Sequence, residues 1–296
     1  TVAGLSAAGL SATAASLAPS AARAQVGRPG GIRATDRIEV IIGLGGNVVL
    51  YQDDDAAVMV DSGAVGPGNT LPALYDERTG GRALNALFNT HWHLDQVGAN
   101  AAFATRGTTI IAHAKTLAHL SIPYYLPEQD TYQAPLPADA HPDQTFLTAG
   151  TFDTGRERIR YEYLLEAHTD GDICVQFEND NVIAAGDAIS PLVDPVLDWY
   201  GGGWLGGRID ALERLLAISD DDTRFVPSYG RIVDRAYVER ERALMQGLWD
   251  ILFERIRAGQ SADDILAAGA LDALPRRFDD PARLLYDAHK SMWAHY

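Results

Sequence analysis

The chain has 296 residues and a formal net charge of −16 at pH 7, so it repels nucleic acids and anionic lipid surfaces unless a basic patch compensates. No such patch is evident in the sequence, because in the most arginine-dense stretch Arg240 and Arg242 alternate with Glu239 and Glu241. With 47% hydrophobic and 22% charged residues the composition is that of a globular protein with a sizeable core, and we expect its partner to be a small molecule.

Residues 1–24 differ from the rest of the chain. They are rich in alanine and serine, carry no charge before Arg23, and end in the cleavage-type pattern Ala22-Arg23-Ala24. This segment is interpreted as the remnant of an export signal, which would place the mature protein in the periplasm or outside the cell. The alternative is a disordered tail, and in either case the segment is excluded from the fold.

Residues 25–235 are expected to form the main domain. Apolar, β-branched runs at 38–52 and 56–63 are separated by an acidic turn, and a further strand is predicted at 83–91. A short helix, a strand at 108–113 and a second helix follow, which is the alternation typical of a layered α/β fold.

Strand patterns resume after a proline-rich connection, at 158–168, 173–180, 181–190 and 223–230, with a helix predicted at 208–218. Cys174 is the only cysteine and lies in a predicted buried strand, where a lone thiol behaves as a small hydrophobe. Residues 236–296 have helical periodicity and are predicted to form a C-terminal helical extension that packs on the core, with dimer contact as the alternative.

The most informative stretch is NTHWHLDQVGAN, residues 89–100. His91, His93 and Asp95 stand at alternate positions just after an apolar strand, so their side chains point the same way. Two imidazoles and a carboxylate directed at one point are the ligands of a borderline cation such as Zn²⁺.

Three later segments add chemistry of the same kind. His168 follows a predicted strand, Asp187 follows another, and VPSYG occupies 226–230. Together with HWHLD these motifs resemble the metallo-β-lactamase superfamily over residues 38–235. The resemblance implies a four-layer αββα sandwich with the metal at one edge, between the two sheets.

The resemblance also implies a ligand set. His91, His93 and His168 match the three imidazoles of the first metal position, Asp187 the carboxylate that bridges two metals, and Asp95 a ligand of the second position. The remaining ligands of the second position are usually histidines, and here they are Gln96 and Tyr229. We therefore expect one zinc ion and a weakened second site, whose oxygen-rich donors suit manganese or iron better than zinc.

The expected chemistry is hydrolysis by metal-bound hydroxide. Asp95 would orient the water or take its proton, and Tyr229 would donate a hydrogen bond to the developing oxyanion or ligate the metal. Residues 198–207 follow Asp187 and are expected to form a mobile apolar wall over the site through Trp199, Tyr200 and Trp204, with residues 122–132 forming the opposite wall.

The function favoured by these features is a metal-dependent hydrolase, with an ester, lactone, lactam or thioester as the bond cleaved. Two other functions stay open: a non-catalytic metal- or ligand-binding protein on a degraded enzyme scaffold, and an iron-dependent redox protein. The loss of two histidine ligands motivates the first alternative, and only an iron content would favour the second.

Overall fold

The computed structural model describes residues 29–126 and 130–295, so the expected export signal at 1–24 lies outside the described residues. The strands in chain order are β1 (Gly30–Arg33), β2 (Ile38–Leu44), β3 (Gly46–Gln52), β4 (Ala57–Val60), β5 (Ala86–Phe88), β6 (Thr109–His113), β7 (Tyr124–Leu126), β8 (Thr131–Gln133), β9 (Gln144–Phe146), β10 (Ala149–Asp153), β11 (Arg158–Tyr163), β12 (Ile173–Phe177), β13 (Val182–Gly186) and β14 (Arg224–Pro227). The helices are α1 (Leu71–Thr79), α2 (Asn100–Ala104), α3 (Ala114–Ser121), α4 (Leu205–Ala217), α5 (Arg235–Arg257), α6 (Ala262–Ala267) and α7 (Pro281–His295), with short 3₁₀ helices at Ala138–Ala140 and Ala270–Ala273.

Two large sheets contain most of the strands. The first has the order β1-β2-β3-β4-β5-β6-β9, antiparallel through β4 and parallel from β4 to β9. The second has the order β10-β11-β12-β13-β14 and is antiparallel except for the parallel pair β13–β14. The apolar run at 38–52 is a hairpin of two strands, because Gly45 has a φ of +101° and reverses the chain between them.

The two sheets pack face to face, and helices cover their outer faces. Alternation along β13 shows this directly: Val182 and Ala184 face the core between the sheets, whereas Ile183 and Ala185 face the helices on the other side. On the outer face of the first sheet, Leu71 and Tyr75 of α1 and Phe103 of α2 pack against residues of β2 to β6. The fold is therefore the four-layer αββα sandwich.

The C-terminal helices pack on the second sheet. Leu244, Leu248 and Leu252 of α5 and Leu284 and Leu285 of α7 belong to the same apolar cluster as the outward-facing residues of β13. Asp234 caps α5, and Ser261 caps α6 in a capping box with Asp264. In the described part of the chain, no helix combines the length and the apolar character that crossing a membrane requires.

Candidate metal centre

Four loops at one edge of the sandwich carry the polar residues singled out in the sequence. They leave the C-terminal ends of four strands, and chain segments that end at the same edge bring distant residues together. The loop after β5 carries His91, His93 and Asp95, the loop after β11 carries His168, the loop after β13 carries Asp187, and the loop after β14 carries Tyr229.

The three imidazoles converge on one point. His91, His93 and His168 each offer a ring nitrogen, and these nitrogens all lie within 4.8 Å of one another. His93 Nδ1 and His168 Nε2 are 3.0 Å apart. Asp187 joins the group, since its Oδ2 lies 3.5 Å from His91 Nε2 and 3.6 Å from His168 Nε2.

Each ring is fixed by a hydrogen bond at its other nitrogen. His168 Nδ1 lies 2.9 Å from the carbonyl oxygen of Val196, and His93 Nε2 lies 3.1 Å from Asp198 Oδ2. A carbonyl and an ionised carboxylate only accept hydrogen bonds, so both of these ring nitrogens are the protonated ones. The inward nitrogens, His168 Nε2 and His93 Nδ1, therefore present lone pairs to the site.

His91 is held in the same way through Thr90. Thr90 Oγ1 lies 3.1 Å from His91 Nδ1 and donates its proton to Asp61, 2.8 Å away. Because the hydroxyl proton of Thr90 is already used in the hydrogen bond to Asp61, His91 Nδ1 must be the donor in its contact with Thr90 Oγ1. His91 Nε2 therefore carries the third inward lone pair. Asp61 also accepts a hydrogen bond from the backbone amide of Thr90 (2.8 Å), as expected of a residue that satisfies loop amides.

Electrostatics in this buried site favour a cation. Burial lowers the pKa of His91 well below its usual value and that of His168 to about 3, so both rings stay neutral and able to ligate. Burial also lowers the pKa of His93, but the Asp198 carboxylate outweighs it and raises that pKa. Burial, with the nearby charge of Asp95, raises the pKa of Asp187 to about 8. Converging lone pairs and crowded carboxylates are satisfied together by a divalent metal ion, so the residues fit one.

The second position predicted from the sequence is different. Asp95 is buried, and burial raises the pKa of its carboxyl group. Gln96 is fully buried beside it, and its Nε2 donates a hydrogen bond to Asp95 Oδ2 (3.1 Å). Gln96 does not line the cavity over the site, whereas Asp95 and Tyr229 do. The Tyr229 hydroxyl is buried and has no hydrogen-bond partner among the described residues.

A cavity of about 210 Å³ opens over the imidazoles, and His93, His168 and Asp187 lie at its base. Trp199 and Tyr200 line it, as does Tyr124 from the segment expected to form the opposite wall. Trp204 does not line it, which corrects the sequence prediction: its ring stacks on His295 with the centroids 4.2 Å apart. The physical reason is the turn at Gly202, whose φ of +83° reverses the chain between Tyr200 and Trp204.

The glycines of this segment serve close packing. A Cβ atom at Gly203 would lie 1.9 Å from the carbonyl oxygen of His168, and one at Gly201 would lie 2.7 Å from the ring of Trp92. Only glycine allows the loop to lie this close to the metal centre. The expected mobile wall is thus a segment packed directly on the loop that carries His168.

Two contributors to the site were missed in the sequence. Asp198 accepts a hydrogen bond from His93 and also from the Tyr124 hydroxyl, 3.2 Å from its Oδ2. Helix α7 contributes Arg283, Tyr286 and Asp287 to the cavity lining. Asp198 opens the aromatic and glycine-rich segment, which was a usable signal, but nothing in the periodicity of α7 distinguishes a cavity wall from core packing.

Comparison with known proteins defines the class. The family model of the metallo-beta-lactamase superfamily matches residues 41–228, which is more than half of the chain. The chain therefore belongs to the metallo-beta-lactamase superfamily. The matched residues end before α5, so the C-terminal helices lie beyond them.

Solved structures have the same fold. A metallo-beta-lactamase from Pontibacter korlensis is 18% identical, with a TM-score of 0.59 over 74% of this chain and 99% of that chain. The DIM-1 metallo-beta-lactamase is 16% identical, with a TM-score of 0.59 over 75% of this chain and 99% of that chain. TMB-1 is 14% identical, with a TM-score of 0.58 over 74% of this chain and 97% of that chain. The comparison with curated proteins gives no match. At these identities the likeness establishes the fold, and the substrate has to be argued from the site.

Proposed function

We propose that this chain is a metal-dependent hydrolase that holds one zinc ion and cleaves an ester, lactone, lactam or thioester bond. The observation that carries the proposal is the set of three imidazole lone pairs, each fixed by a hydrogen bond at the opposite ring nitrogen, at the base of a cavity. Superfamily membership and the histidine site are consistent with a metal-dependent hydrolase.

His91, His93 and His168 would hold the ion, with the Asp187 carboxylate beside them. Three neutral imidazoles suit zinc among the available divalent metals. When bound, the ion would lower the pKa of a coordinated water to about 7 and polarise the substrate carbonyl.

The chain itself supplies the remaining groups. Asp95 lines the cavity next to the histidines, and its carboxylate would take the proton of the attacking water. Tyr229 lines the same cavity with its hydroxyl unpartnered among the described residues, so it is available to donate a hydrogen bond to the carbonyl oxygen as negative charge develops there. A phenol that keeps its proton serves as a donor, so we assign Tyr229 this role ahead of metal ligation.

The proposal is tested by metal content, measured by elemental analysis on protein purified without chelators, and by turnover of ester, lactone, lactam and thioester substrates. We expect about one zinc per chain, and less than about a tenth of that in the variant His168→Gln, because two imidazoles and a carboxylate hold zinc far more weakly than the full set. His113→Gln is the matched control. His113 is also buried, but it bonds to the carbonyl oxygen of Leu147 and stacks on Tyr163.

Three results would contradict the proposal. Retention of zinc by His168→Gln would place the ion elsewhere. If the chain takes up no metal when zinc is supplied, it does not carry out metal-dependent hydrolysis. One zinc per chain with no turnover across the substrate classes would leave a metal-binding protein on an enzyme scaffold.

A further inference from the structure

Aromatic rings form a continuous wall on one side of the cavity, and they come from two separate parts of the chain. Trp199 lies 5.7 Å from Tyr200 and 6.4 Å from Tyr286 of helix α7, measured between ring centroids. Tyr200 lies 6.0 Å from Tyr124, which also lines the cavity. Aromatic rings at these separations present a large apolar surface to whatever occupies the space between them.

Charged side chains near this wall already have partners inside the protein. Asp198 is bonded to His93 and Tyr124. Asp194 accepts a hydrogen bond from the backbone amide of Asp280 (2.8 Å) and lies 3.9 Å from Arg276. Arg283, the one arginine or lysine among the described residues that line the cavity, forms an ion pair with Asp287 one turn further along α7. Five aspartates and this one arginine line the cavity, so an anionic substrate group would face carboxylates or have to displace Asp287 from Arg283, and it binds worse than an uncharged one.

The loop behind the wall is held rigidly. Arg208 and Glu241 form a fully buried ion pair with N and O 2.9 Å apart, and Glu241 accepts a hydrogen bond from the backbone amide of Ser190 (3.0 Å). Arg276 donates hydrogen bonds to the carbonyl oxygens of Ser190 (2.8 Å) and Val193 (2.6 Å). Residues of the C-terminal helical region thus fix the loop that leads to Trp199, and a wall fixed before binding loses little entropy when a ligand arrives.

From this wall we infer the substrate class: an ester, lactone, lactam or thioester whose acyl group carries an aromatic ring or short apolar chain without a negative charge, seated against Trp199, Tyr200 and Tyr286. The inference rests on the proposed hydrolase function for its reaction. The cavity of about 210 Å³ sets the size. A cavity of about 150 Å³ accommodates benzene, so one ring and the reacting carbonyl group fill this one.

The first test compares methyl esters that differ only in the acyl group, followed by pH-stat titration on the zinc-loaded protein. The acyl groups are phenylacetyl, para-carboxyphenylacetyl and acetyl. We expect kcat/KM for the phenylacetyl ester to exceed that of the para-carboxyphenylacetyl ester by about tenfold or more, because the added carboxylate would face the aspartates of the cavity lining. Equal or faster turnover of the para-carboxyphenylacetyl ester would overturn the inference.

The second test removes one ring. Tyr286→Ala should lower kcat/KM for the phenylacetyl ester about five- to tenfold and leave the acetyl ester unchanged, since only the aromatic acyl group reaches that ring. Trp293→Ala is the matched control: Trp293 lies on the same helix, is 63% exposed and does not line the cavity, so both esters should be unaffected. An equal loss for both esters in Tyr286→Ala would show a general disturbance and overturn the assignment of the wall.

Binding of phenylacetone separates this inference from the proposed function. This ketone matches the acyl group and contains no hydrolysable bond, so calorimetric titration measures binding without turnover, and the Tyr286→Ala variant reports the share that the wall contributes. Binding that Tyr286→Ala weakens, without turnover of any ester, would support the aromatic site while the hydrolase proposal fails. Ester turnover without phenylacetone binding, and without preference among acyl groups, would overturn the aromatic site and leave the hydrolase proposal standing.

Discussion

Two corners of the same site differ in how completely their polar atoms are hydrogen-bonded. In the corner formed by the three histidines, the outward ring nitrogen of each imidazole makes a hydrogen bond within the described residues. The partner is Thr90 for His91, Asp198 for His93 and the carbonyl group of Val196 for His168. In the corner of Asp95, Gln96 and Tyr229, the Gln96 Oε1 and Tyr229 hydroxyl atoms are buried with no hydrogen-bond partner among the described residues. The first corner is fixed before any ligand arrives, and the second holds polar groups that still have bonds to make.

This difference predicts separate roles for the two corners, metal binding for the first and a part in the reaction for the second. A fixed set of lone pairs favours tight binding of one cation, because little reorganisation is needed when the ion enters. A hydroxyl with an unused hydrogen-bonding capacity is suited to a group that appears only during the reaction, such as a developing oxyanion. We therefore expect substitutions in the first corner to change metal affinity and substitutions in the second to change turnover.

The sharpest test of this division is Tyr229→Phe. We expect kcat to fall about a hundredfold, since removing one oxyanion donor has an effect of this size in hydrolases, with zinc content unchanged. Tyr75→Phe is the matched control, because Tyr75 is also buried but packs against Phe103 in the core. Loss of zinc in Tyr229→Phe would make the tyrosine a ligand and break the comparison, and unchanged turnover would remove its catalytic role.

A smaller effect is expected when the support of the first corner is weakened. Asp198→Asn replaces the carboxylate that accepts from His93 Nε2, and loss of such a partner lowers metal affinity about tenfold or more. The measurement is a competition titration of zinc against a chromophoric chelator, with kcat determined at saturating zinc.

Asp170→Asn is the control for this variant, because Asp170 makes the same kind of contact to His119, 2.9 Å from its Nε2, and His119 is not among the convergent imidazoles. Its zinc affinity should match that of the unchanged protein. If Asp198→Asn binds zinc normally and loses only turnover, Asp198 belongs with the second corner and the division fails.

The sequence predicted the fold and the convergence of the three histidines because the signals are local. His91 and His93 are two residues apart directly after a strand, and His168 and Asp187 also follow strands, so a sheet edge brings them together. That these residues hold a metal ion stays a prediction. The superfamily match and the layered sheets confirm the predicted fold. Predicting that the three imidazoles cluster required only the order and direction of those strands.

The rest depends on contacts that spacing does not encode. Asp198 is 105 residues from His93, and its role emerges only when the loop after β13 folds over the site. Trp204 looked equivalent to Trp199 and Tyr200 in the sequence, but the backbone turn at Gly202 sends its ring toward α7. Tyr286 followed the apolar pattern of an ordinary amphipathic helix, and only three-dimensional packing places it at the cavity.

The smallest predicted effect comes from a buried carboxylate away from both corners, where the unfavourable effect of burial outweighs the contacts that favour the charged form. Glu157 is 1% exposed. It accepts a hydrogen bond from the backbone amide of Asn179 (2.8 Å) and lies 3.8 Å from Arg37, yet burial raises the pKa of its carboxyl group to about 7. Below the usual pKa of a glutamate the group is protonated in the folded and unfolded chains alike. As the pH rises toward 7, the unfolded chain releases this proton first, so the folded state loses stability.

Glu157→Gln should therefore raise the free energy of unfolding by about 1–2 kcal/mol at pH 8 and by much less at pH 5, measured by urea denaturation. This gain should be the same with and without zinc, because Glu157 is not one of the residues at the metal centre. A gain that depends on zinc would mean that the metal centre is coupled to the turn between β10 and β11, and the two corners could then no longer be treated as a local system.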